Sequence, residues 1–287
     1  MSGLVVYGLK EWCEVNKEEF LPPVCAKLMH KDDLSIMFVG GPNVRTDFHV
    51  EEGSEFFYMV KGDMLLPTIQ RGKKVEVSIK EGEVFLLPSR IPHSPQRVAD
   101  TLGLVIERRR TTDESDCLRW YTDQNCTQIM WEKYFYCDDL GRDLVPVVKE
   151  YYSLKDSLVP GQYVCDNPPL KQDVDTEVPA PFNLHKWIDE HRGELYDGKT
   201  LNLFPGHPDK EFEILIAGHG KSDNHSDIET WLYQLHGNIS LTIDGQTTQL
   251  KAGECLIIPA NKHYSVHREP QSIGMIVKQN PKGNKKN

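Results

Sequence analysis

The segment Gly82-Glu83-Val84-Phe85-Leu86-Leu87-Pro88 recurs 171 residues later as Gly253-Glu254-Cys255-Leu256-Ile257-Ile258-Pro259. An upstream glycine turn, Lys61-Gly62-Asp63, recurs 175 residues later as His236-Gly237-Asn238. Two separate motifs repeated at nearly one offset describe a duplicated unit. The surrounding text says what kind of unit it is. EFFYMVKGDMLLPTI, KKVEVSI, EVFLLP and LGLVIERR in the first half are short apolar runs bounded by Gly, Pro, Asp and Asn. EILIAGHG, TWLYQLHGNISLTIDG, TTQLKAGECLIIP and SIGMIVKQ repeat that pattern in the second half. Such runs at regular spacing fold as the antiparallel strands of a sandwich or barrel. The expectation is an all-β chain, two barrels in tandem with a few short helices. Helical stretches are expected within Val5 to Phe20 and Ala180 to Glu190, the latter with Asn183 as N-cap. Residues 158–181 are rich in Pro and charge and lack apolar periodicity, so they read as a connection. The expected boundaries are a first domain over 1–160, a linker over 161–179 and a second domain over 180–287.

Composition narrows the partners. Of 287 residues, 39% are hydrophobic and 26% charged, ordinary values for a chain with sizeable cores. The formal net charge of −10 argues against a general nucleic-acid binder. The basic clusters, Arg108-Arg109-Arg110 and the tail Lys282 to Lys286, read as a solvated strand end and a frayed terminus. An anionic substrate would then need local positive charge, which makes any arginine inside a site informative. No stretch approaches the roughly 18 consecutive apolar residues that a membrane-spanning helix needs. MSGLVVYGLKEWCEV lacks the basic start of a signal peptide. Cys13, Cys25, Cys117, Cys126, Cys137, Cys165 and Cys255 are scattered and never spaced Cys-x-x-Cys, which suits neither a disulfide framework nor structural zinc. Isolated thiols in a reducing cytosol are the expectation, with neither nucleic acid nor membrane as partner.

The first copy carries an unusual set of polar residues: Gly41-x5-Asp47-x-His49-x5-Glu55-x6-Gly62, then Gly82-x5-Pro88-x4-His93. Two strands flanking the turn Glu52-Gly53-Ser54 can converge on one point inside a barrel. His93, arriving on a later strand, completes a face there. Two imidazoles and one carboxylate leave open coordination positions, the set favoured by non-haem Fe(II) oxygenases. Ligand type alone leaves zinc and manganese open. These spacings resemble the two motifs of the cupin superfamily, with Asp47 where that pattern has its first histidine and Arg90 where it has a glycine. The resemblance implies two cupin (jelly-roll) β-barrels in tandem, the first holding one metal on His49, Glu55 and His93.

Residues 40–49 (GGPNVRTDFH), 52–58 (EGSEFFY), 92–97 (PHSPQR) and 103–108 (GLVIER) together resemble the 3-hydroxyanthranilate 3,4-dioxygenase family, and the likeness runs through most of residues 1–110. The duplicated barrel resembles the animal, monomeric form; the bacterial form carries a C-terminal Cys-x-x-Cys iron site that this chain lacks. The resemblance implies Fe(II)-dependent ring opening of 3-hydroxyanthranilate by O2 to 2-amino-3-carboxymuconate semialdehyde, on the route from tryptophan to quinolinate and NAD. It implies iron ligands at His49, Glu55 and His93, an arginine near the oxygen position at Arg45, a substrate-carboxylate clamp at Arg97 and an acidic residue at the substrate at Glu107. The chemistry is consistent. A guanidinium binds a carboxylate in a bidentate fork, Arg45 can stabilise developing negative charge, and Glu107 can accept a hydrogen bond or move a proton. For Glu107, three following arginines make a plain salt bridge the competing reading. Another metal-dependent cupin enzyme (an isomerase or thiol-type dioxygenase) and a non-catalytic bicupin are the alternatives.

The second copy contains His219, His225, His236, His263 and His267. His263, however, follows Pro259 one residue sooner than His93 follows Pro88, and one residue reverses a side chain's face in a strand. No converging triad is expected there, and the resemblance implies a catalytically silent, degenerate barrel.

Overall fold

The computed structural model describes residues 4–20, 22, 25–43 and 45–280. Contacts divide them into two compact units: one built from the chain between Glu18 and Leu184, the other from residues 4–17 together with 185–280. This division cuts the chain at other points than the sequence boundaries, for reasons that lie in its edge strands.

In the first unit, six strands run in the order Phe182–Asn183, Glu83–Leu87, Glu55–Lys61, Leu102–Arg108, Leu34–Gly40 and Ala26–Lys31. A second layer holds Ile129–Phe135, Asp116–Tyr121 and Phe48–Val50, and beside them Lys73–Ile79, Met64–Gln70 and Gln96–Arg97. The residue His93 stitches the two parts of this layer together, bridging His49 on one side and Thr68 on the other. Met37, Phe57, Met59, Phe85, Leu87 and Val105 from the first layer pack on Met64, Leu66, Val77 and Ile79 from the second, making one jelly-roll core. Burying these aliphatic and aromatic side chains is the main favourable term for the barrel.

Strand alternation then places the polar residues. Glu55 shares its face with Phe57 and Met59, and Glu107 shares its face with Val105, so both carboxylates point the way the core points, at the barrel's end. The register confirms that they are neighbours: Val105 pairs with Phe57 and Ile106 with Phe56, which sets Glu107 opposite Glu55. Gly41 is needed where the chain passes the Gln96–Arg97 strand; a Cβ there would fall 2.1 Å from the Val98 carbonyl oxygen and 3.0 Å from Arg97 Cβ.

The second unit repeats the plan. Tyr7–Gly8, Glu254–Ile258, Thr230–His236, Ile273–Gln279, Phe212–Ala217 and Thr200–Asn202 form one sheet, and Gly220–Ser226, Lys262–Arg268, Asn238–Ile243 and Gln246–Lys251 the other. Tyr7 pairs with Cys255 and Gly8 with Glu254, just as Phe182 pairs with Val84 and Asn183 with Glu83. These are corresponding positions of the 171-residue repeat. A helix follows each edge strand, Leu9–Val15 and Leu184–Glu190, with Leu9 matching Leu184 and Trp12 matching Trp187. Each barrel thus takes its edge strand from the segment that precedes the other copy in the chain. Both helices fall within the stretches expected from the sequence, and Asn183, the last residue of its strand, directly precedes Leu184–Glu190 at the N-cap position.

The connection over residues 158–181 forms no helix or strand, yet it is pinned to the first unit. Leu170 is buried with Val50 and Cys117, Arg119 donates to Gln172 Oε1 at 2.7 Å, and the Asp173 N–H donates to the Arg90 carbonyl at 2.9 Å. Other bonds close local turns within it, as where Asp173 Oδ1 accepts from the Asp175 and Thr176 N–H groups at 2.9 Å. The sequence reading also passed over the helix Leu140–Leu154, which carries Pro146 inside it and buries Leu144 and Val147. The tail Lys282 to Lys286 lies outside the described residues.

Candidate active site

A cavity of about 90 Å³ opens at the end of the first barrel, and every sequence-derived site residue lines it: Arg45, His49, Glu55, His93, Arg97 and Glu107. Met37, Val39, Phe57, Val105, Leu140 and Leu144 supply its apolar walls. A ring nitrogen of His49, one of His93 and a carboxylate oxygen of Glu55 lie within 4.8 Å of one another, all buried. The two histidines are held by their backbones, each N–H donating to the other's carbonyl at 2.8 and 2.9 Å.

The ring hydrogen bonds bear on which nitrogens remain available. His93 Nδ1 donates to the Ile91 carbonyl at 3.0 Å, which leaves the Nε2 lone pair free. That Nε2 lies 2.9 Å from Glu55 Oε1, yet Glu55 Oε1 makes no aligned hydrogen bond. His49 Nε2 donates to Asp116 Oδ2 at 2.7 Å, the carboxylate–histidine arrangement that orients metal-bound imidazoles.

Charge tells the same story. Burial pushes the Glu55 carboxyl up, but His93, then His49 and Arg110, hold it below its ordinary value. Burial opposes a charged His93, and Glu55 nevertheless raises its pKa. Glu51 Oε1, Glu55 Oε1 and Glu107 Oε1 are all buried without a hydrogen-bond partner. Carboxylate oxygens of these three residues lie within 4.8 Å of one another. Arg110 pairs with Glu51 and Glu107 through their other oxygens, but the three orphaned oxygens remain buried, and a cation among them would offset that cost. Two imidazoles, one carboxylate and an excess of negative charge fit a divalent metal of the kind bound with open positions.

The remaining residues take distinct places. Arg97 is buried, its Nε has no hydrogen-bond partner, and burial lowers its pKa to about 10. Arg45 is engaged: its Nε donates to Asp47 Oδ1 at 2.9 Å and its second prong reaches Asp47 Oδ2. Asp47, standing where the cupin pattern has a histidine, therefore clamps an arginine. Glu107 makes the salt bridge of the competing reading, Oε2 accepting from Arg110 at 2.8 Å, and its Oε1 has no hydrogen-bond partner. Burial raises its pKa, against the pull of Arg110.

The reading of Arg108-Arg109-Arg110 as a solvated strand end is corrected. Only Arg109 is exposed; Arg108 forks onto Glu114 with two bonds of 2.7 Å, and Arg110 is buried among Glu51, Glu107 and Asp116. Acidic residues crowding the motif region, each needing a buried counter-charge, were the one signal that could have found Arg110.

In the second barrel, Thr230 pairs with Ile258 as Glu55 pairs with Leu87, so a threonine stands at the carboxylate's place. His225 and His263 are cross-strand partners with exposed rings 4.2 Å apart.

The 3-hydroxyanthranilic acid dioxygenase family model matches residues 1–152 and 177–287. The chain belongs to this family. It is an enzyme of the oxidoreductase class, and its relatives run nearly its full length. It is similar to the 3-hydroxyanthranilate 3,4-dioxygenase of Xenopus tropicalis, 45% identical over 96% of this chain and 98% of that protein. The Bos taurus enzyme of the same name is 44% identical over 95% and 96%, and the Homo sapiens one 40% over 96% and 96%. Among solved structures, a variant of salicylate 1,2-dioxygenase from Pseudoaminobacter salicylatoxidans superposes with a TM-score of 0.57 at 12% identity, covering 96% of this chain and 84% of that one. A cupin 2 conserved barrel domain protein from Leptotrichia buccalis gives 0.53 at 11%, covering 96% of both. At such identities these two bear on the fold alone, which is the tandem cupin barrel. Among the described residues, no helix is long and apolar enough to cross a membrane.

Proposed function

We propose that this family member opens the ring of 3-hydroxyanthranilate with O2 on Fe(II) held by His49, Glu55 and His93. The product would be 2-amino-3-carboxymuconate semialdehyde, placing the enzyme on the tryptophan–kynurenine route to quinolinate and NAD. The observation that carries this reading is Arg97: a buried guanidinium with a free Nε, lining the same cavity as a two-histidine, one-carboxylate cluster. An aromatic carboxylate is the ligand that satisfies both.

His49, Glu55 and His93 would hold the Fe(II), which when bound would supply open positions for an ortho-aminophenol and for O2 together with redox chemistry between them. The chain's own residues do the rest. Arg97 pairs with the substrate carboxylate and thereby sets the ring's orientation. Arg45, braced by Asp47, presents positive charge toward the oxygen side of the pocket. Glu107 Oε1, its pKa raised by burial, accepts the proton that the substrate's hydroxyl gives up on binding. Phe57, Val105, Leu140 and Leu144 keep bulk water from the opened ring. Seven free cysteines suit a reducing cytosol, and we place the enzyme there as a monomer, its second barrel structural.

Oxygen uptake after anaerobic Fe(II) loading tests the reading. Uptake with 3-hydroxyanthranilate should vanish in His49→Ala. In Arg97→Ala, loss of a charge-assisted pair should weaken substrate binding about 10- to 100-fold. Folded, iron-loaded protein that consumes no oxygen with this substrate would sink the assignment.

A further inference from the structure

Arg110 reaches three carboxylates with three different nitrogens. Its Nε donates to Asp116 Oδ1 at 2.6 Å, its Nη1 to Glu107 Oε2 at 2.8 Å, and its Nη2 to Glu51 Oε2. The carboxylates come from three segments: the stretch just after Phe48–Val50, the strand Leu102–Arg108 and the strand Asp116–Tyr121. Asp116 spends its second oxygen on His49 Nε2 at 2.7 Å. One unbroken chain of hydrogen bonds therefore joins Glu107, Arg110, Asp116 and His49. It connects a substrate-side carboxylate to a candidate metal ligand, with a single guanidinium as its hub.

We infer that Arg110 is a positioning residue for both halves of the site. Through Asp116 it fixes the His49 ring, and through Glu107 Oε2 it leaves only Oε1 to act on a bound molecule. The inference rests on the metal reading above and deepens it. A guanidinium suits this task because its planar fork offers donors in fixed directions, whereas an ammonium is a point charge that cannot hold three carboxylates at set angles. Partners of this kind, one step removed from the ion, set ligand orientation and basicity. Arg110 touches neither the substrate cavity nor the three clustered ligands, so its effects should appear as altered geometry.

Metal binding without turnover reads that geometry. Competition with a chromophoric chelator against the anaerobic apoprotein should show Fe(II) binding weakened about 10- to 100-fold in Arg110→Lys and in Asp116→Asn. The visible absorption of the Co(II)-loaded protein should shift in both, since it follows ligand geometry. In steady state, Arg110→Lys should lower kcat about tenfold through a misaligned Glu107. KM should move far less, because Arg97 still holds the carboxylate. A folded Arg110→Lys with wild-type Fe(II) affinity and Co(II) spectrum overturns the inference, even if its thermal midpoint falls. Should that variant fail to fold, Asp116→Asn keeps the guanidinium with its Glu51 and Glu107 contacts, and the same two readouts decide. A wild-type protein that binds no divalent metal sinks the reading of the site and this inference together; wild-type binding with unaltered variants sinks the inference alone.

Discussion

Arg97 is a charge held out of water without a full set of partners, and its pKa of about 10 is the physical record of that. The folded state holds this proton less tightly than the unfolded chain does. The buried charge therefore costs stability, and a guanidinium keeps that charge across the working pH range. The same charge is what a substrate carboxylate binds. Arg97→Lys, which keeps the charge but loses the planar fork, should raise KM for 3-hydroxyanthranilate about tenfold; an unchanged KM would remove Arg97 from the clamp. A carboxylate ligand should also raise the thermal midpoint of the metal-loaded protein. The cysteines divide as sharply. Burial pushes Cys117 and Cys255 up to about 12, while Cys165 is exposed. A thiol reagent at neutral pH should modify Cys165 first and leave those two intact, as peptide mass spectrometry would show. Motif spacing singled out His49, Glu55 and His93, and the family resemblance added Arg45, Arg97 and Glu107; all six line one cavity. Neither pointed to Arg110: a basic run looks the same in sequence whether it ends in water or among carboxylates.

At the scale of elements, strands were read more easily than helices. Apolar runs cut by glycine turns identify strands because the period of two is short and survives in five to seven residues. The helix Leu140–Leu154 hid because Pro146 interrupts the expected pattern, although Asp139 caps it by accepting from the Arg142 N–H at 3.1 Å. Leu140 and Leu144 from this helix wall the cavity, so its fraying should be felt at the site. Asp139→Ala should cost about 1 kcal/mol of stability. Hydrogen exchange should show faster opening over residues 140–147 before any change in the strands; uniform protection there would show that the cap contributes nothing.

For the whole molecule, duplication was visible and the assignment of edge strands was not. Residues 4–17 precede the first barrel in sequence and belong to the second unit, where Tyr7–Gly8 extends the sheet and the Leu9 N–H donates to the Gly253 carbonyl at 2.9 Å. Leu9 is buried there. Leu9→Ala should remove about 2–5 kcal/mol from that unit. Exchange should rise at Glu254–Ile258 and leave the corresponding Glu83–Leu87 strand as it was. The reverse pattern would contradict the division into units.

The sequence by itself determined the barrel, its duplication and which polar residues of the first copy would gather in one cavity. Those features are local in kind: alternation, turn residues and motif spacing act over ten to fifty residues and leave their mark on the text. Tertiary structure alone decided which segment completes each sheet, how the connection over 158–181 is pinned, and that Arg110 links Glu107 to His49. Each of these depends on backbone edges or buried charges finding partners far along the chain, and a partner that far away leaves no periodic trace.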